Sequence, residues 1–361
     1  MSKSPFLLDT KSVSYVIGEG ALALSEKRLK KYRRIIILVD ENTEKHCLPV
    51  FRKHLPDIDI NQVVVIKSGE KQKNLDQSIY IWDKLTKQKV ARDALFINLG
   101  GGVVTDIGGF VASTYKRGVS FINYPTTLLG MADAAIGGKT GIDFEGYKNQ
   151  VGLFANPVSV VIDPIFLHTL EDIQWQSGFA EVMKYGLIMD RDLWYILAGK
   201  NYRDIDEWNN IITRAARDKI DIVQYDALEK GIRKNLNFGH TIGHAIESHY
   251  LNRDHPVTHG QAIAAGMICE TWISSRIFEM DCTRTQEIVS MIDLNFSKFD
   301  LTEDMIPELI DLMRQDKKVR EGKLKFSLIR KLGKATHDVE VDFDLIVDSL
   351  KYYINRHVTS E

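Results

Sequence analysis

Residues 94–106 read ALFINLGGGVVTD. Ala94-to-Leu99 is a near-continuous apolar run, the pattern of a strand covered on both faces of a parallel sheet. Gly100, Gly101 and Gly102 follow at once, and a helix-like run opens after them. Strand, glycines and helix start together suggest a phosphate-binding turn. Missing side chains let a backbone approach a diphosphate, and N–H groups at a helix start favour an anion. A tight turn with no ligand is the plain alternative. It explains three consecutive glycines poorly, because each costs conformational entropy.

Working outward, Arg34-to-Asp40 (RIIILVD), Val63-to-Ile66, Val119-to-Tyr124 and Ser159-to-Ile162 read as further buried strands. Between them, Asn74-to-Lys87 sets Ile79, Ile81, Trp82 and Leu85 at helical spacing. Strand–helix–strand alternation predicts an α/β sheet. The texture changes near residue 170. From Glu171 onward the patterns are helical: 211–225, 240–250, 261–278 and 306–313, with Lys325-to-Ile329 as one short strand candidate. The chain therefore divides into residues 1–170 and 171–361, an α/β domain followed by an all-α domain.

The 361 residues carry 44% apolar and 27% charged side chains, with 47 Lys and Arg against 49 Asp and Glu, a net charge of −2. That composition excludes a disordered chain, and the charge balance speaks against a nucleic-acid partner. Cys47, Cys269 and Cys282 are too few and too scattered for a disulfide framework or a thiolate metal site, which fits a reducing, cytoplasmic setting. The stretch MSKSPFLLDTKSVS lacks a signal-peptide core, and no apolar run approaches membrane-helix length, so no membrane partner is expected.

Two other glycine patterns compete with residues 100–106. Gly18-Glu-Gly-Ala-Leu-Ala23, with Asp40 closing the next strand, imitates a dinucleotide fingerprint with its ribose-binding acid. Gly137-Gly138-Lys139-Thr140 looks like the end of a Walker loop, but Asp133 stands where that pattern needs its first glycine.

The segment from Asn237 to Glu247, NFGHTIGHAIE, puts His240 and His244 one helical turn apart, a spacing that brings two imidazoles to one metal. His259 follows an irregular stretch containing Pro256, and Glu181 is a carboxylate inside an apolar helical run. These imidazoles and one carboxylate suit Zn²⁺ with an open coordination position. A lone histidine is more often a cap or a solvated residue. Four of the ten histidines lie between His240 and His255, which weakens that explanation. Pattern alone selects His240 and His244 as the pair, with His259 third. Arg117, Lys139, Lys148, Lys184, Lys219 and Arg233 stand beside apolar or glycine-rich sequence, as expected for cations meeting phosphate and carboxylate.

In this order, GEKQK (69–73), GGGVVTDIGGF (100–110), YPTTLLGMADAAIGGKTGID (124–143), KNQVG (148–152), AEVMKYGLI (180–188), RKNLNFGHTIGHAIE (233–247), HGQAIAAGM (259–267) and QDKKVREGKLKF (315–326) resemble the 3-dehydroquinate synthase family of sugar phosphate cyclases over nearly the whole chain. The resemblance implies a Rossmann-like, mostly parallel sheet followed by a helical domain, with the active site in the interdomain cleft. It implies a homodimer using NAD⁺ and Zn²⁺ or Co²⁺. The implied reaction converts 3-deoxy-D-arabino-heptulosonate 7-phosphate to 3-dehydroquinate and phosphate. Its steps are transient oxidation, phosphate elimination, re-reduction and intramolecular aldol closure, in the shikimate route.

Carried onto this sequence, the resemblance implies metal ligands Glu181, His240 and His259, which moves His244 from ligand to proton-handling residue. It implies NAD⁺ contacts from Asp40, Asn42, Glu70, Lys73, Gly100, Gly101, Gly102, Val103, Val104, Thr105, Asp106, Thr126, Thr127, Lys139, Lys148, Phe166, Leu167, His168 and Thr169. Around the phosphorylated sugar acid it implies Asp133, Lys139, Asn149, Lys184, Lys219, Arg233, Asn237, His244 and Lys317 or its neighbour Lys318, with Arg117 reaching the phosphate across a dimer. Thr105 and Gln261 depart from the commoner Gly and Glu of the family. The rival readings are a cyclase acting on sedoheptulose or glucose phosphate, and a metal-dependent polyol dehydrogenase of shared architecture. The dehydrogenase would accumulate NADH.

Overall fold

A computed structural model describes residues 5–145, 147–251, 253, 257–316 and 323–356. The chain forms two compact units: Met1–Gln174 with Glu207–Ile220, and Trp175–Asp206 with Asp221–Glu361. A single cut at residue 170 leaves out the return of Glu207–Ile220 to the first unit. That return carries Lys219.

The strands are β1 (Phe6–Asp9), β2 (Ser14–Ile17), β3 (Ile35–Asp40), β4 (Gln62–Ile66), β5 (Leu95–Gly100), β6 (Ser120–Pro125), β7 (Lys139–Phe144), β8 (Tyr147–Phe154), β9 (Ser159–Ile162), β10 (Lys323–Lys331) and β11 (Lys334–Asp342). The first unit holds a seven-stranded sheet ordered β1-β2-β9-β6-β5-β3-β4. Within this sheet, among the described residues, β1 and β2 pair antiparallel and the other neighbours pair parallel. Ile36, Ile37, Leu38 and Val39 are all fully buried, as are Leu95, Ile97 and Leu99. The continuous apolar runs thus have their cause in burial on both faces. Helix Leu75–Lys87 starts where Asn74 accepts the Gln77 N–H at 3.0 Å. Ile81 and Leu85 point into the core, but Ile79 is half exposed and Ser78 takes the inward place.

The helical patterns appear as Asp172–Ile188, Trp208–Tyr225, His240–Tyr250, His259–Ile277 and Ile306–Asp316. The second unit is not purely helical. Lys325-to-Ile329 belongs to the longer strand β10, which pairs antiparallel with β11 in a hairpin. A second hairpin, β7 with β8, lies in the first unit and was not legible from periodicity. It presents Lys139, Lys148 and Asn149. Among the described residues, no helix is long and apolar enough to cross a membrane.

Candidate active site

In the first unit the glycine loop ends β5 and opens helix Gly102–Thr114, with Gly101 as N-cap and no side chain capping it. A helix start leaves its first N–H groups without intrahelical partners, which suits an anion. Val104 and Thr105 are buried, and Thr105 Oγ1 donates to the Gly102 carbonyl at 3.0 Å, so the departure from Gly is absorbed locally. The imitation fingerprint at Gly18 has no such open start. The Asp163 carboxylate takes the Leu22 N–H there at 2.9 Å. The protein's own acid sits where a phosphate would. Gly137-Gly138 leads into strand β7, not a helix, so no Walker loop forms.

Asp40 ends β3 and closes a capping box: its carboxylate accepts the Thr43 N–H at 2.7 Å, and its own N–H donates to the Thr43 hydroxyl oxygen at 2.9 Å. Asn42 is exposed in the helix that follows. Thr126 is buried after β6, and Thr127 Oγ1 accepts the Gly130 N–H at 3.0 Å. In the turn Pro164–Thr169, Phe166 and Leu167 are buried while His168 and Thr169 are exposed. Arg117 is exposed, at a left-handed φ of 63°.

Lys73 gathers much of the remaining set. Its side chain is only 4% exposed. Its ammonium lies 3.0 Å from Glu70, 3.5 Å from Asp106 and 3.6 Å from Asp143, and donates to Asn149 Oδ1 at 2.8 Å. Lys148 reaches Glu70 at 3.3 Å. Burial works against the Lys73 charge, but Asp106, Glu70 and Asp143 outweigh it and raise its pKa. Burial pushes the Asp106 carboxyl up to about 6 against the pull of Lys73. Asp143 also accepts the backbone N–H of Asn149 at 2.8 Å, and Asn149 takes a left-handed φ of 52° within β8. Lys219 donates to both the carboxylate and the carbonyl of Asp133, at 2.9 and 2.7 Å. Lys139 is exposed at the start of β7.

In the second unit three helices meet. Helix Asp172–Ile188 is buried continuously from Ser177 to Ile188, and that run includes Glu181 and Lys184, which form an ion pair. Charges this deep are costly unless they are paired and hydrogen-bonded. Gly260 lets helix His259–Ile277 dock on this one: a Cβ there would stand 2.4 Å from the Ser177 Cα. The Gly260 N–H donates to Ser177 Oγ at 3.1 Å. Thr258 and Gln261 close a capping box that starts the helix at His259. Gln closes such a box as Glu can.

The result is a convergence. Glu181 Oε1 lies 3.3 Å from His240 Nε2 and 3.1 Å from His259 Nε2. All three donor atoms fall within 4.8 Å of one another, and so do those of His244, Glu247 and His259. The other ring nitrogens are held from behind. His240 Nδ1 faces the Phe238 carbonyl at 3.0 Å, and His259 Nδ1 faces Glu247 at 3.3 Å. A carbonyl only accepts, so His240 carries its proton on Nδ1 and turns the Nε2 lone pair to the centre. One carboxylate oxygen and two imidazole nitrogens are a donor set that Zn²⁺ and Co²⁺ fit.

The electrostatics agree. Burial alone raises Glu181, but Lys184 and His240 overcome it and hold the carboxyl well below its usual range. Burial and then Lys184 lower His240. His259 rises to about 10: burial opposes the charge, and Glu247 and Glu181 prevail.

His244 packs near both rings, 5.1 Å from His240 and 6.2 Å from His259 by centroids. The i,i+4 pair is therefore adjacent, while the donors facing Glu181 are His240 and His259. Arg233 is 1% exposed. Its Nη1 donates to the Ala227 carbonyl at 2.6 Å and its backbone N–H to Asp226 at 3.1 Å. Asn237 donates to Glu229 at 2.8 Å. Lys317 and Lys318 lie outside the described residues. Sequence reasoning overlooked Asp143, Asp226, Glu229, Glu247 and Glu270. Only Glu247 left a signal there, one helical turn beyond His244.

Residues 63–177 match the family model of the 3-dehydroquinate synthase N-terminal domain, and residues 178–319 match that of the C-terminal domain. The chain belongs to the 3-dehydroquinate synthase family. A 3-dehydroquinate synthase from Parabacteroides distasonis is 38% identical over 330 residues, covering 90% of this chain and 92% of that one. A 2-epi-5-epi-valiolone synthase from Streptomyces hygroscopicus subsp. jinggangensis, solved with NAD⁺ and Zn²⁺ bound, superposes with a TM-score of 0.84 at 26% identity, covering 97% and 99% of the two chains. A 2-deoxy-scyllo-inosose synthase, solved with carbaglucose-6-phosphate, NAD⁺ and Co²⁺, gives 0.82 at 22% identity over 96% and 99%, a likeness of fold. The match to the 3-dehydroquinate synthase family thus extends over parts of both units of the chain.

Proposed function

We propose that the protein is an enzyme converting 3-deoxy-D-arabino-heptulosonate 7-phosphate to 3-dehydroquinate and phosphate. One observation carries the reading: Glu181, His240 and His259 face one another in a buried cluster, in a chain 38% identical to a 3-dehydroquinate synthase. When bound, NAD⁺ supplies a reversible hydride acceptor and Zn²⁺ or Co²⁺ a Lewis acid for the substrate's hydroxyls.

The residues divide the work. Glu181, His240 and His259 hold the cation, with Glu247 and the Phe238 carbonyl orienting the two imidazoles. Lys184 keeps Glu181 ionised. Arg233, fixed by Asp226 and the Ala227 carbonyl, is a preoriented fork for carboxylate or phosphate. His244 moves protons, a task suited to imidazole near neutral pH. Asn237, Asp133, Lys139, Asn149, Lys219 and Lys317 contact the substrate. Cations held in place beforehand, as Arg233 and Lys219 are, stabilise charge as it develops in elimination and aldol closure without reorganising.

Asp40, Asn42, Glu70, Lys73, the 100–106 loop, Thr126, Thr127, Lys139, Lys148 and the 166–169 turn bind the nucleotide. A homodimer in which Arg117 serves the neighbouring subunit, and a cytoplasmic location, belong to the same proposal.

The test is phosphate release. Purified protein with NAD⁺ and Zn²⁺ releases phosphate from the heptulosonate phosphate, with no steady build-up of NADH. Sedoheptulose 7-phosphate, run alongside, gives none. Sustained NADH accumulation means a dehydrogenase, and phosphate release from the sedoheptulose alone means a different cyclase.

A further inference from the structure

Glu270 is fully buried within helix His259–Ile277. Its carboxylate reaches the start of helix His240–Tyr250. Oε2 accepts the Gly239 N–H at 2.6 Å, and Oε1 accepts those of Thr241 and Ile242 at 3.1 and 3.2 Å. That helix has no cap of its own. Its N-cap is Gly239, in the left-handed region at φ 79°, with no side chain to offer. The first N–H groups of any helix lack intrahelical partners, and here Thr241 and Ile242 are buried, away from water. Glu270 supplies from a neighbouring helix the acceptor that the local sequence lacks.

His240 sits between Gly239 and Thr241, so the backbone is gripped on both sides of it. The Phe238 carbonyl sets the ring and Glu270 sets the chain that carries the ring. We propose that Glu270 is a positioning residue for the metal site, clamping the first turn so that His240 Nε2 stays aimed at Glu181 before any cation arrives. The proposal rests on the reading that Glu181, His240 and His259 hold the metal. A plain structural cap would contribute to folding and leave metal affinity alone. A clamp changes affinity, because a ligand must otherwise be ordered when the cation binds.

The full-length protein, Glu270→Gln and His240→Ala are compared for Zn²⁺ dissociation constant, by competition with a chromophoric chelator, and for the visible absorption of bound Co²⁺. Glutamine has nearly the same shape but turns an NH₂ toward backbone donors. Glu270→Gln weakens Zn²⁺ binding roughly tenfold to a hundredfold and shifts the Co²⁺ bands. A folded Glu270→Gln with unchanged affinity and spectrum overturns the clamp and leaves the ligand assignment intact. Wild-type affinity retained in His240→Ala overturns the assignment instead. Should Glu270→Gln fail to fold, hydrogen exchange in the metal-free wild type decides. Protected Thr241 and Ile242 amides support a turn ordered by Glu270. Protection that appears only after Zn²⁺ is added means the cation orders the turn, and the proposal falls.

Discussion

His259 Nδ1 lies 3.3 Å from Glu247 Oε2, while the opposite ring nitrogen faces Glu181 at 3.1 Å. One imidazole therefore spans two carboxylates on different helices. The outer carboxylate fixes the ring's orientation and makes the inner nitrogen a stronger donor. Glu247→Gln leaves the fold in place and loosens Zn²⁺ about tenfold or more. Metal retained after dialysis against a graded chelator measures this. Retention equal to the wild type would reduce Glu247 to a packing residue.

Lys184 and Glu181 are each 1% exposed in their side chains and form an ion pair. Breaking a buried pair leaves an uncompensated charge, at about 3–5 kcal/mol. Lys184→Met therefore destabilises the metal-free protein by roughly that amount. A divalent cation at Glu181 makes good part of the loss, so the deficit shrinks in the Zn²⁺-loaded protein. Urea unfolding with and without Zn²⁺ reads both numbers, and an equal deficit in the two states contradicts the account.

Lys73 faces Glu70, Asp106 and Asp143. Lys73→Met leaves three carboxylates without their common cation, and removes the donor to Asn149 Oδ1. Folding stability falls by about 3 kcal/mol or more, and NAD⁺ binding is lost in the same variant. Urea midpoints and an NAD⁺ titration check the pair. An unshifted midpoint would mean that water already shields these charges.

Asp106 has a carboxyl raised to about 6, first by burial. For an acid raised in the folded state, the stabilising contribution is complete below the unstrained value of 3.8 and is lost as pH climbs through 6. Nucleotide binding through this carboxylate has the opposite sense, since a hydroxyl of NAD⁺ donates to the ionised form. NAD⁺ affinity therefore drops as pH falls from about 7.5 to 5, by at most about tenfold per pH unit. Asp106→Asn binds more weakly at pH 7.5 and shows no such slope. Calorimetry across that range tests it, and a flat wild-type profile would remove Asp106 from the nucleotide contacts.

The sheet was readable from residues such as Ile36–Val39 and Leu95–Leu99, because a parallel strand buried on both faces needs an unbroken apolar run. The glycine loop was readable because its three glycines directly follow a strand. The hairpin of β7 and β8 was not, since its strands are partly exposed and Asn149 within β8 takes a left-handed φ with its N–H on the Asp143 carboxylate. The Gly18 pattern, the weaker candidate in the sequence, has its Leu22 N–H taken by Asp163 from far along the chain, a contact that no local pattern shows.

By itself the sequence determined the element types, the acidic and imidazole residues available, and the resemblance that selected His259 over His244. Periodicity within one helix favoured His240 with His244, because spacing reports only neighbours on the same helix face. Which imidazoles share a centre with Glu181 was decided in three dimensions. A glycine at 260 brings one helix against Ser177, and a carboxylate at 270 caps another helix that has no cap of its own. Contacts between distant segments carry no local periodicity, so only the packed chain reveals them.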